Sequence, residues 1–202
     1  MSNTPVIRKR ITRPAQSTFS RHVAALLLIA LIGTAVMPAF AQMDVAKSSV
    51  TATAKQLGVP IDGTFKKIAA AINFIPAQLQ QSSAKIDIDV GSYDMGSAEY
   101  NKEVIGKEWF NAAKFPKATF ASTSINAAGA DKYMVVGKLT LKGRVANVSL
   151  PVTVKTSKGV QTFDGTLPIK RTAFNIGDGE WKDTSVVADE VLIKFHIVVA
   201  LK

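Results

Sequence analysis

The sequence predicts an all-β domain whose antiparallel strands curl into a closed or nearly closed barrel, with one short helical segment against an end. Three observations lead there. Ile86, Ile88 and Val90 interleave with Lys85, Asp87 and Asp89, the pattern of a strand with one buried and one wet face. Such strands belong to antiparallel sheet, because parallel sheet is covered on both sides. Runs of this kind recur along the chain between turn-forming clusters. The final run is long, with Val191, Ile193, Phe195, Ile197 and Val199 on one face and Lys194 and His196 on the other. As a free edge it would be an aggregation hazard, and closure of the sheet removes edges. Alternation alone does not separate a barrel from two packed sheets, so a β-sandwich stands as the alternative.

The N-terminal stretch is set apart from this pattern. Arg8, Lys9, Arg10, Arg13 and Arg21 precede an apolar run over residues 23–35, and Pro38 and the triplet Ala39-Phe40-Ala41 follow. A basic leader, a short apolar run and a small-x-small triplet form a secretory signal. The run is shorter than the about 20 residues a bilayer span needs. Cleavage after Ala41 is expected, giving residues 1–41 as signal peptide and 42–202 as one β-barrel domain in the periplasm. The leader holds five of the 25 basic residues, so removing it lowers the formal net charge from +10 to about +5.

The remaining elements follow in order. Residues 49–56 read as a first strand, ended by the turn Leu57-Gly58-Val59-Pro60. Residues 61–74 form one longer run in which Ile68, Ala70, Ile72 and Phe74 share a face. The strand through Ile86, Ile88 and Val90 comes next. Residues 97–110 are the one helical stretch, with Ser97 at its start and Gly106 weakening its middle. Strands are then expected over 117–125, 133–141, 146–155, 159–169 and 186–201. The turns between them fall at Ala128-Gly129-Ala130-Asp131, Lys142-Gly143-Arg144 and Ser157-Lys158-Gly159. Ile86, Ile88, Val90, Ile193, Phe195 and Ile197 should face the interior, and Asp87, Asp89 and Lys194 water.

Composition excludes several chemistries. The chain has no cysteine, so thiol catalysis, disulfides and haem attachment through cysteine are ruled out. Beyond the leader it has one histidine, His196, too few for the usual zinc constellation. No Gly-x-Ser-x-Gly elbow supports a hydrolase triad. Asp178-Gly179-Glu180-Trp181-Lys182-Asp183 is dense in carboxylates but lacks the EF-hand spacing, and reads as a solvated loop with Trp181 packed over a barrel end. Asp189 and Glu190 are adjacent on a strand and so point opposite ways, which ill suits acid–base cooperation. Dispersed lysines and a secretory leader argue against nucleic acid as a partner. No metal, no cofactor and no catalytic residue is expected. The phenylalanines, by contrast, are spread over almost every element, with small residues such as Ala69, Ala70, Ala71, Ala118, Ala121 and Gly137 among them. Small inward residues leave volume, and volume walled by aromatics suits an apolar guest.

A set of short motifs in order carries a further resemblance. They are Gly63-Thr64-Phe65, Ile86-Asp87-Ile88-Asp89, Phe115-Pro116-Lys117-Ala118-Thr119-Phe120, Gly137-Lys138-Leu139-Thr140-Leu141-Lys142-Gly143, Arg171-Thr172-Ala173-Phe174 and Gly177-Asp178-Gly179-Glu180-Trp181. In order and spacing they resemble the YceI-like family of bacterial periplasmic proteins, from about Asp44 to Leu201. That family often carries Asp-x-x-His-Ser where this chain has Asp44-Val45-Ala46-Lys47-Ser48, so Lys47 stands at the histidine's place. The resemblance implies an extended, eight-stranded antiparallel lipocalin-like barrel around an apolar tunnel. It also implies binding or carriage of an isoprenoid-type lipid, a quinone or a prenyl phosphate. A cytochrome b561-like membrane protein is the implied protein partner. With the dispersed aromatics, it assigns the tunnel wall to Phe65, Phe74, Trp109, Phe120 and Phe174, and a phosphate-facing cation at the mouth to Lys47 or Lys138. A homodimer covering an apolar mouth stays open. The competing readings are a secreted small-molecule isomerase and a structural or interaction protein without a ligand.

Overall fold

A computed structural model of the chain describes Met1 and residues 42–201; the expected signal peptide and its cleavage site lie outside the described residues. The strands are β1 (Gln42–Met43), β2 (Ser49–Gln56), β3 (Val59–Phe65), β4 (Ile68–Asn73), β5 (Ser83–Asp89) and β6 (Tyr93–Asp94). After the helix α1 (Ala98–Val104) come β7 (Lys117–Gly129), β8 (Lys132–Leu141), β9 (Arg144–Ser157), β10 (Val160–Lys170) and β11 (Glu190–Ala200). All strand pairs are antiparallel, in one 11-stranded sheet of order β4-β5-β7-β8-β9-β10-β11-β2-β3-β6, with β1 beside β11.

This corrects the expected closed, eight-stranded lipocalin-like barrel. The sheet is open and curled, a half-barrel whose edges lie 10 Å apart, and among the described residues no ladder joins β4 to β3 or β6. Two sequence inferences misled. The run 61–74, taken as one strand, divides at Lys66-Lys67. Its first part pairs with β2 and β6 near one end of the sheet path, and its second with β5 at the other. From Phe65 to Ile68 an extended chain spans at most about 10–11 Å, so this link tethers the two edges without hydrogen-bonding them. The apolar final strand was also taken for an edge. It is β11, flanked by β10 along its whole length and by β2 from Leu192 to His196. Both of its edges are thus paired without any need for closure.

Local chemistry accounts for the connections. Leu57-Gly58, Lys142-Gly143 and Lys158-Gly159 have positive φ at both residues (49° and 82°, 47° and 74°, 50° and 77°), the two-residue turn whose twist matches antiparallel strands. The expected helix over 97–110 shortens to Ala98–Val104, and Gly106 is where it stops. The Gly106 N–H donates to the Glu103 carbonyl, which a Cβ there would approach to 2.8 Å. Ser97 precedes the helix but makes no capping bond. Asn101 instead ties the entry, accepting from the Met95 N–H and donating to Asp94. Of the residues expected to face water, Lys194 is exposed, while Asp87 and Asp89 are half-buried.

One half of the curled sheet is solid. The rings of Phe65, Tyr93 and Phe110 pack with centroids 4.7–5.9 Å apart, and Phe174 and Ile176 are buried as well. Residues 105–115 and 171–189 fold over this end. They are held by Arg171, a side chain only 1 % exposed. Its guanidinium donates to the carbonyls of Ile176, Gly177, Trp181, Val187 and Ala188 at 2.7–3.3 Å, and stacks on Trp109. Burial lowers its pKa, opposed by the charge of Asp189. Lys142 adds a second clamp, donating to the carbonyls of Glu108 and Asn175; burial lowers its pKa too.

Candidate functional site: an apolar cavity inside the curled sheet

The other half of the sheet is hollow. Inward positions of β2, β4, β5 and β7 to β11 line a cavity of about 130 Å³. The space is therefore narrow. It is smaller than the about 300–1,000 Å³ usual for ligand sites. Strand alternation puts Ile86 and Ile88 of β5, Phe163 and Leu167 of β10 and Ile193, Phe195 and Ile197 of β11 on the same wall. No charged residue lines it, and the Tyr133 hydroxyl is the one polar side-chain group among the lining residues. Glycine makes room at two points. A Cβ at Gly165 would strike the ring of Phe195, and one at Gly137 would meet the Phe120 ring at 2.6 Å. These two rings take the space that side chains would otherwise fill.

The sequence-assigned wall residues divide between the halves. Phe74 and Phe120 line the cavity, and Phe74 packs edge-on against Tyr133 and Phe163 at 4.9 and 5.6 Å. Phe65 and Phe174 are buried but do not line the cavity. Trp109 lies in the clamp, 5.4 Å from Trp181 between ring centroids, and its indole N–H is buried without a partner among the described residues. The rings that the assignment missed are Tyr133, Phe163 and Phe195. Phe163 shares the register position of Ile197 and Val154, a signal present in strand parity once the partners are known. Of the interior set, all but Val90 line the cavity; Val90 is buried outside it.

The polar candidates have structural partners. Lys47 forms a 2.8 Å ion pair with Asp44, whose hydrogen bond raises the lysine pKa, and Lys138 is exposed on β8; neither lines the cavity. His196 Nδ1 lies 2.6 Å from Asp164 on the opposite face of β11 from Phe195. Asp189 accepts from the N–H and hydroxyl of Thr172; burial raises its pKa, but these bonds and nearby cations bring it below the usual carboxylate value. Trp181 closes the plugged end, its indole donating to Glu103. Tyr93 is the most perturbed group, pushed up to about 12 by burial and by Asp62; its hydroxyl donates to the Ala52 carbonyl. No group of three or more His, Cys, Asp or Glu suited to a metal ion occurs among the described residues.

Comparison with known proteins places this architecture. The model of the YceI-like domain matches residues 42–199. Among solved structures, BcnA of Burkholderia cenocepacia is 56 % identical, with a TM-score of 0.77 over 78 % of this chain and 99 % of that one. A polyisoprenoid binding domain from Saccharophagus degradans shares the fold at 18 % identity, with a TM-score of 0.66 over 81 % of this chain and all of that one. Protein YceI of Salmonella arizonae is 34 % identical over 128 residues, 63 % of this chain and 64 % of that protein. A UPF0312 protein of Azotobacter vinelandii is 33 % identical over 92 residues, 46 % of each chain. The aligned stretch thus spans about half to two thirds of these curated relatives. Proteins of this family are characteristically periplasmic and are not enzymes.

Proposed function

This chain belongs to the YceI-like family, is periplasmic with it and is not an enzyme, and from that premise we propose that it carries an isoprenoid-type chain in the hollow half of its curled sheet. The observation that carries the proposal is the cavity: narrow, walled by apolar side chains and free of charged ones. Each CH₂ moved out of water into such a space gains about 0.8 kcal/mol. A flexible branched hydrocarbon chain gains most where the space is long and thin. The polyisoprenoid binding domain with the same fold supports the same class of guest. Phe74 and Phe120, with Phe163 and Phe195, form the aromatic part of the wall.

Organic extraction of the purified protein followed by mass spectrometry tests this. A co-purifying prenyl chain supports it. Titration with a fluorescent isoprenoid, with and without about 0.5 M salt, adds the energetics: binding held by an uncharged wall changes little when salt shortens the screening length. Absence of both lipid and saturable binding refutes the carrier reading. A cytochrome b561-like membrane protein and a second copy of the chain are the partners to test, by crosslinking in periplasm and membranes.

A further inference from the structure

We propose that the isoprenoid chain enters and leaves the cavity sideways, through a seam between β9 and β10 that no ladder closes, and that Leu150 and Leu167 are the side chains that part to admit it. The inference rests on the carrier reading above and adds the route to it. β9 and β10 are paired from Ser157 and Val160 as far as Val152 and Gly165. Past that pair, among the described residues, no register partners join them. Both strands nevertheless run on, β9 to Arg144 beside β8 and β10 to Lys170 beside β11. Continued, the register would set Leu167 opposite Leu150 and Pro168 opposite Ser149. Proline accounts for the break. Pro151 and Pro168 stand one on each lip of the seam, and neither has an N–H to give to a ladder. Within sheets proline is confined to edges and irregularities, so each lip is an edge set inside the sheet.

The seam lies over the cavity. Leu150 and Leu167 line that cavity and are 5 % and 8 % exposed, while Pro151 and Pro168 are exposed on the outer face. Side chains without a ladder therefore separate inside from outside here. Where the wall is a ladder, parting it leaves backbone hydrogen bonds unmade, which is costly. Parting two leucines takes changes of rotamer. A groove on the outer face, lined in part by Pro151, Gly165 and Thr166, shares Tyr133, Val152 and Phe195 with the cavity, so the wall is thin where the seam begins. Other routes are obstructed. The Arg171 clamp holds the plugged end. Where the sheet edges approach, β1 is paired to β11 and packs beside β4.

The test uses the absence of native cysteine. Ser149→Cys with Pro168→Cys places one thiol on each lip, and a short bismaleimide then ties the lips of the folded, delipidated protein. Lys155→Cys with Thr162→Cys, register partners in the paired part of the same two strands, is the control. Stopped-flow fluorescence measures uptake and release of farnesol carrying an NBD fluorophore, and thermal melts confirm folding. A tied portal raises the barrier without changing either end state, so both rates should fall together by about tenfold or more while Kd stays within about twofold. The control crosslink should change neither rate. Pro151→Thr with Pro168→Thr restores a donor to each lip without any cysteine, and should slow both rates in the same sense. Rates unchanged in both lip variants, or slowed equally by the control, overturn the portal and leave the carrier reading standing. A weakened Kd with no slowing of release makes the lips binding wall only, and overturns it too. If the unmodified protein takes up no probe, the carrier reading and the portal fall together.

Discussion

Arg171→Met is the substitution whose cost the structure defines best. The guanidinium donates to five backbone carbonyls, all in the segment that folds over the solid end of the sheet. Methionine keeps much of the volume and removes every donor. A buried acceptor left unmade costs about 1–3 kcal/mol, so five would nominally exceed the stability of many domains. Water entering behind the shorter side chain re-pairs some of them. The expected loss is then near the about 3–5 kcal/mol found when one member of a buried charged network is removed. At about 2–4 °C per kcal/mol for a domain of this size, the melting temperature should fall by about 6–20 °C. Arg171→Lys keeps the charge but offers three donors on one atom, and should recover less than half of the loss. Urea unfolding followed by circular dichroism gives the free energies. Amide exchange at Gly177 and Asp178, whose N–H groups both donate to the Glu108 carbonyl, reports whether the plug itself loosens. A shift of the melt by less than about 2 °C would show that Arg171 is not what holds the segment.

Three further outcomes are expected. Tyr93 has its pKa raised to about 12 against about 10 unfolded, so its contribution is fully present below pH 10 and lost as pH rises from 10 to 12, about 2–3 kcal/mol in all; Tyr93→Phe should flatten that alkaline loss, and parallel pH–stability curves for the two proteins would contradict it. Gly165→Ala puts a Cβ into the ring of Phe195 and 2.9 Å from the Pro151 carbonyl, so it should cost about 1–3 kcal/mol and weaken isoprenoid binding, both read from melts and titrations. Phe195→Ala should cost less than the about 3–5 kcal/mol of a fully packed phenylalanine, because the ring lines open volume; a loss in that full range would place Phe195 in solid core.

Much of the fold could be read from the sequence because period-2 alternation and X-Gly turns are local signals. Residues 49–56 form a strand as expected, and the turns at Leu57, Lys142 and Lys158 are where they were expected. What the sequence did not reveal depends on pairing. Nothing local at Lys66-Lys67 says that the chain there crosses from one edge of the sheet to the other, and nothing in residues 190–200 says that they are flanked on both sides. The site was legible to the same extent. An apolar guest follows from composition, and Phe74 and Phe120 lie on the wall. Phe65 has the same residue type but packs against Tyr93 and Phe110, and Phe174 lies in the segment 171–189 that Arg171 holds. Which rings a phenylalanine meets depends on strand pairing and on this segment, and neither is a local signal.

The division into a solid and a hollow half also predicts how the protein responds to its ligand. Ile86, Ile88, Phe120, Ile193 and Phe195 face inward yet stay only half-buried, though other wall residues such as Phe163 and Ile197 are buried, whereas Phe110 and Phe174 of the plug are 8 % and 2 % exposed. Dispersion needs atoms on both sides of a contact, and a narrow void forfeits part of it. The empty protein is thus held by its ladders and its plug, with the hollow half contributing less than its composition allows. A chain that fills the space supplies the missing contacts and binds only the folded state. At a free concentration 100-fold above Kd it should add about 2.7 kcal/mol, raising the melting temperature by about 5–11 °C. Delipidated and reloaded protein, melted side by side, measure this. Because Arg171 secures the other half, the same increment should appear in Arg171→Lys on its lower baseline, since separated sites add. A ligand increment that vanishes in that variant would mean that plug and cavity form one cooperative unit and that the two-half description is wrong.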